Sequence, residues 1–133
     1  MKVEHILFPT DFSEGSFHAL PYAVDLARNY NAKLYVLHII YDIAKATESH
    51  IPHISADELY KELNEWAIKE IDTCCIEEII KFASDNEIDL IVMGTYGRAG
   101  FERFVFGSTA EKVVRRAPCP VLTVRVPEHR GKK

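Results

Sequence analysis

Apolar positions in this chain follow two periodicities that alternate from one end to the other. Residues 3–8, 34–40, 89–93 and 120–126 are short runs rich in Ile, Leu and Val, and each predicts a strand. Elsewhere apolar residues recur every three or four positions, the spacing of one helix face. Phe17, Leu20, Val24 and Ala27 make the first such face, with Ala23 and Leu26 beside them. Leu59, Leu63, Trp66, Ala67 and Ile71 make a second; Ile76, Ile79, Ile80 and Ala83 make a third. Asp72-Thr73-Cys74-Cys75 reads as a gap between those two helices. A last helix starts at Ser108 and runs to about Ala117, where Pro118 blocks continuation.

End signals agree with these limits. Ser13 or Asp11 can cap the first helix, and Pro21 should kink it or shift its start. Residues 29–31 look like its stop. Ser55-Ala56-Asp57-Glu58 and Ser108-Thr109-Ala110-Glu111 both read as capping boxes, and Asp85-Asn86 closes the third helix. Residues 41–54 read as loop. The alternation predicts an α/β domain over residues 1–126, a three-layer sandwich around a parallel sheet, with 127–133 as a basic tail. Strand 34–40 is apolar on both faces, which predicts a place inside the covered sheet. Ligands of such sheets sit beyond the C-terminal strand ends, where strand order reverses. Two polar loops qualify: Pro9-Thr10-Asp11 after the first strand, and the loop after Met93. If those strands are neighbours, Asp11 and Gly94 line one crevice.

Composition narrows the class. The 133 residues suit one domain, and 47% hydrophobic with 27% charged residues is ordinary for a globular chain. No apolar run approaches the roughly 18 residues of a membrane span. The N-terminus shows no secretory pattern, so a cytoplasmic location is expected. Three cysteines, Cys74, Cys75 and Cys119, make no disulfide framework. A net charge of −4 argues against general nucleic-acid binding. Basic residues nonetheless dominate from Arg98 onward, where an anion would be welcome.

That basic part opens on a glycine loop: Gly94, Gly97, Gly107 and Ser108, spaced Gly-x2-Gly-x9-Gly-Ser. It follows a buried strand and leads into a helix. Gly94 would let the chain turn off the strand, and Gly97 would let backbone approach an oxyanion. Gly107 precedes a helix whose first N–H groups are unpaired, a natural phosphate seat. Ser108 can donate to a phosphate oxygen or cap its helix. There is no Gly-x4-Gly-Lys-Ser/Thr, so this is not a P-loop. The glycines do not follow the first strand, which weakens a dinucleotide-binding reading. His5 and His38 read as sheet histidines, His50 and His53 as a weak metal pair, and Asp89 as a cap.

Three segments together resemble the ATP-binding branch of the universal stress protein family. They are Ile6-Leu7-Phe8-Pro9-Thr10-Asp11-Phe12-Ser13, the loop from Gly94 to Glu111, and Ala117-Pro118-Cys119-Pro120-Val121-Leu122. The resemblance implies a Rossmann-like sheet in order 3-2-1-4-5. It implies ATP, held with Mg or Mn largely through phosphates and water. Asp11 would contact the ribose or the phosphate–metal region, and Pro9 and Thr10 would line the pocket. Ile39 would meet adenine through its backbone, and Met93 would close the apolar floor. Gly94, Gly97, Arg98, Gly107, Ser108 and Thr109 would surround the triphosphate. A homodimer through the last strand, Val121 to Val126, is implied as well.

One departure stands out. The family normally has another strand between the second and third helices, and here only residues 72–75 occupy that place. Either the strand is deleted and its edge covered by a loop or partner, or the sequence omits a stretch. The second is the expectation, and an intact mass of 15.2 kDa would speak against it. Function is expected to be that of a nucleotide-dependent switch with little or no catalysis, since no general base with an orienting partner is evident. A slow ATPase or phosphotransferase, using Asp11 and Arg98, is the alternative. A purely structural interaction module is the third reading.

Overall fold

The chain is described here from a computed structural model that covers residues 1–40, 56–95 and 107–126, with side chains of residues 56–72 described only in part. Its strands are β1 (His5–Pro9), β2 (Lys33–Leu37), β3 (Leu90–Gly94) and β4 (Val121–Val124). Its helices are α1 (Glu14–Phe17), α2 (Leu20–Tyr30), α3 (Ala56–Asp85) and α4 (Ser108–Arg116). The strands pair in parallel in the order β2-β1-β3-β4. Among the described residues this is the expected order without its third strand.

Alternation along the central strands sends side chains to both faces and builds two cores. On one face Leu7, Ile91 and Met93 meet Ile76, Ile79 and Ala83 of α3 and Ala110 and Val113 of α4. On the other, Ile6, Phe8, Val92 and Val124 meet Ala19 and Ala23. The result is an α/β Rossmann-like sandwich. Local chemistry sets the helix ends as expected. Ser13 caps α1, its hydroxyl accepting from the Ser16 N–H at 3.2 Å. Pro21 sits in the first turn of α2, so it shifts the start rather than kinking the helix. Asn31 ends α2 in the left-handed conformation, at φ 53°.

Three expectations are corrected. Residues 72–75 are not a gap: α3 runs unbroken from Ala56 to Asp85. None of the four is Gly or Pro, and their modest helix propensity yields to the packing of Ile76, Ile79 and Ala83 that follows. Strand β2 is not interior: among the described residues it ends the sheet, and Val36 is 60% exposed. Nor does Ser108 cap α4. The N-cap is Gly107, with extended backbone (φ −62°, ψ 150°), and Ser108 is already helical.

At the N-terminal strand ends, Asp89 acts as the cap expected of it. Its Oδ2 accepts from the Glu4 and His5 N–H groups at 2.8 and 2.9 Å. These bonds hold its carboxyl below the usual carboxylate range. A shallow depression lined by Lys2, Glu4, His5, Glu87 and Asp89 lies at this end, opposite the loops that carry the candidate chemistry.

Candidate functional site

Strands β1 and β3 are neighbours, and the chain leaves β1 toward β2 on one side while β3 lies on the other. The reversal of strand order therefore falls between their C-terminal ends, where both polar loops emerge. One observation shows the two loops meeting, and a second joins the two described ends of the glycine loop. A Cβ on Gly94 would lie 2.6 Å from the Gly15 carbonyl oxygen and 3.2 Å from its carbon. The Gly107 N–H donates to the Thr95 carbonyl at 2.6 Å, pinning the start of α4 to the end of β3. Gly94 is thus needed for the close approach of α1 to the strand end. It is the last residue of β3, and the turn expected there begins one residue later.

The β1–α1 loop is held by its own polar groups. Thr10 is 7% exposed. Its Oγ1 accepts from the Phe12 N–H at 3.0 Å and from the Ser16 hydroxyl at 2.7 Å. Asp11 Oδ1 accepts from the Ser13 N–H at 2.9 Å. Phe12 is forced to φ 62°, a strained conformation for a bulky residue, and its ring lies 4.4 Å from that of His38. His38 Nδ1 donates to the Thr10 carbonyl at 2.9 Å, since a carbonyl can only accept. This bond ties the end of β2 to the same loop.

On the other wall, Thr95 donates its N–H to the Val124 carbonyl at 3.1 Å. Its side-chain hydroxyl is buried and has no hydrogen-bond partner among the described residues. Beside it starts α4, whose N-cap, Gly107, has no side chain to bond the first turn. A buried hydroxyl without a partner is costly, and an uncapped helix start leaves N–H donors and partial positive charge. Together they bring a hydroxyl donor and a helix start to one place, a donor set suited to an oxyanion. The described residues therefore fit a phosphate at this place.

The expected site residues can be placed against this geometry. Pro9, Thr10 and Asp11 form one wall, and Met93, Gly94, Gly107, the Ser108 backbone and Thr109 form the other. Met93 is buried in the same core cluster that Ile39 packs against, so both lie on the α3 and α4 face of the sheet. Gly97 and Arg98 lie outside the described residues, as do His50, His53 and Ser55. Among the described residues no cluster of His, Cys, Asp and Glu could hold a metal by itself. Thr95, Ser16 and His38 were missed as site-building residues. Thr95 stood within the glycine loop, but nothing in its spacing marked its hydroxyl as partnerless. The Ser16–Thr10 bond could have been suspected only from their shared loop.

A doubly wound α/β sheet with two polar loops at its switch point defines the class. The chain belongs to the universal stress protein family, whose model matches residues 2–125. A universal stress protein of Methanocaldococcus jannaschii, MJ0531, is 35% identical over 144 aligned positions, covering 92% of this chain and 82% of that one. A Staphylococcus haemolyticus relative is 34% identical, covering 96% and 88%. Among solved structures, universal stress protein UspA from Lactobacillus plantarum superposes with a TM-score of 0.66 at 26% identity, over 94% of this chain and 99% of that one. A universal stress protein in complex with cAMP gives 0.62 at 20% identity, over 96% and 100%, a likeness of fold. The M. jannaschii alignment spans 144 positions while using 92% of the 133 residues, so about twenty positions of that relative have no counterpart here.

Proposed function

We propose that this chain is an ATP-binding module of the stress response, acting as a nucleotide-dependent switch in a homodimer. The observation that carries the reading is the Thr95 hydroxyl, buried without a partner among the described residues, beside the start of α4. A triphosphate there would take the Thr95 hydroxyl and lie against Ser108 and Thr109, with Gly94, Gly97 and Gly107 leaving room for its oxygens and Arg98 adding charge. Pro9, Thr10 and Asp11 would face the nucleoside and any phosphate-bound Mg or Mn, and Ile39 and Met93 would border the base. Residues 1–126 form the one domain in this reading, with 127–133 as its basic tail. The outer edge of β4, continued to Val126, is the homodimer surface, and the protein works in the cytoplasm with a further protein partner.

The test is nucleotide binding to the purified chain by calorimetry, using ATP, ADP and cAMP with and without Mg. ATP is expected to bind and to raise the melting temperature, and bound nucleotide is expected in acid extracts of the fresh protein. If none of the three nucleotides binds at millimolar concentration, the pocket is not a nucleotide site and the interaction-module reading takes its place. Radiolabelled ATP in the same samples measures turnover, which is expected to be negligible.

A further inference from the structure

The outer edge of β2 is where the described sheet departs from the strand order that the family resemblance implied. Lys33 donates its N–H to the Glu4 carbonyl, and Leu37 accepts from the Thr10 N–H. Residues 33, 35 and 37 therefore turn their backbone groups toward β1. By alternation, Leu34 and Val36 aim theirs outward, and nothing among the described residues pairs with them. The strand is apolar, with Val36 60% exposed, and Ile40 just beyond it is 88% exposed. Such an edge is a template for another strand, and proteins usually blunt it with charge, Pro or a bulge. In β2 the only charge is Lys33, at its start. About twenty positions of the M. jannaschii relative are missing from this chain, and α3 runs unbroken through the junction where a further strand was expected.

The geometry points to this edge as a self-association surface for a second copy of the chain. Two copies related by a two-fold axis at Val36 pair antiparallel, and the register is complementary to itself. Val36 then faces Val36 of the second copy as a hydrogen-bonded pair. Leu34 faces the backbone of His38, Tyr35 faces Leu37, and Lys33 faces Ile39. No like charges oppose each other, and β-branched and aromatic side chains meet directly. The two sheets join into one of eight strands. One five-residue strand pair buries less than the roughly 1,200 Å² of a stable interface, so the association is reversible and concentration-dependent. It is separate from the β4 edge invoked above for the homodimer.

Proline tests the two edges independently. The Val36 N–H points away from β1, so Val36→Pro blocks the outer edge and leaves every β1–β2 hydrogen bond intact. In β4, Ile91 and Thr95 donate to the Pro120 and Val124 carbonyls, so the Thr123 N–H points outward and Thr123→Pro blocks that edge alone. Sedimentation equilibrium is run over a range of concentrations on the wild type, each variant and the double variant. Thr123→Pro is expected to keep a dimer that the added Val36→Pro reduces to the 15.2 kDa monomer. Equal masses for wild type and Val36→Pro would overturn the proposal. Loss of association in Thr123→Pro alone would overturn it while upholding the β4 interface. Hydrogen exchange on the unmodified protein needs no variant. The Leu34 and Val36 amides are expected to gain protection with rising concentration. Protection at every concentration means the chain covers its own edge, and protection at none means the edge stays open; either result overturns the proposal.

Discussion

Replacing Thr95 by Val tests the phosphate reading through two effects of opposite sign. Valine has nearly the same shape and the same β-branched preference for extended backbone, so the bonds of Thr95 N–H to Val124 and of its carbonyl to Gly107 should survive. What is lost is a buried hydroxyl that has no partner among the described residues. Leaving such a group buried costs about 1–3 kcal/mol, so the ligand-free variant should be as stable as the wild type or more stable by about 1 kcal/mol. With nucleotide the sign reverses. A hydroxyl donating to a charged phosphate oxygen contributes about 1.5–3 kcal/mol, so the dissociation constant of ATP should rise roughly ten- to a hundredfold. Urea denaturation reads the first effect and calorimetric titration reads the second. A variant that loses stability while binding ATP as tightly as the wild type would refute the reasoning. Thr95 would then be a packing residue, and the oxyanion, if any, would sit elsewhere.

Two further substitutions probe the scaffold beneath the site. Gly94→Ala places a methyl group 2.6 Å from the Gly15 carbonyl oxygen, so β3 and α1 must separate; a loss of about 1–3 kcal/mol is expected in chemical denaturation, and an unchanged midpoint would refute the close approach. Asp89→Ala removes the acceptor of two backbone N–H groups and should cost about 1–3 kcal/mol at neutral pH. Because these bonds lower the folded-state pKa of Asp89, their stabilisation is present above the unfolded value, near 3.8, and is lost as pH falls through the folded value. The gap between wild type and variant should therefore be constant around neutrality and narrow below that pH. A gap that widens on acidification would show that Asp89 is not held as a carboxylate.

Much of the architecture was legible in the pattern of residues because it is set locally. Four apolar runs became four strands, displaced by one to three residues at their ends. Ser13 and Asn31 ended their helices as their side chains and backbone preferences dictate. Asp89 capped rather than catalysed, as its place before a strand suggested. The errors have local causes too. Ser108-Thr109-Ala110-Glu111 satisfies a capping box in letters, yet the bond from Gly107 N–H to the Thr95 carbonyl sets the chain so that the glycine caps and Ser108 enters the helix. Residues 72–75 read as a gap between two apolar helix faces, and the buried face beginning at Ile76 carries the helix through them.

What the sequence determined by itself was therefore the order of strands and helices, the polar loops at the ends of β1 and β3, and the glycine spacing that suggested an anion. Each depends on residues a few positions apart. Only the tertiary structure decided what those loops do to one another. Gly15 and Gly94 are far apart in the chain, and the need for a missing Cβ appears only when β1 and β3 lie side by side. The Thr95 hydroxyl lacks a partner among the described residues because of what surrounds it, and β2 is an edge because no described strand lies beyond it. Periodicity encodes which side of an element is buried. It does not encode what stands opposite, since long-range pairing is fixed by the packing of the whole sheet.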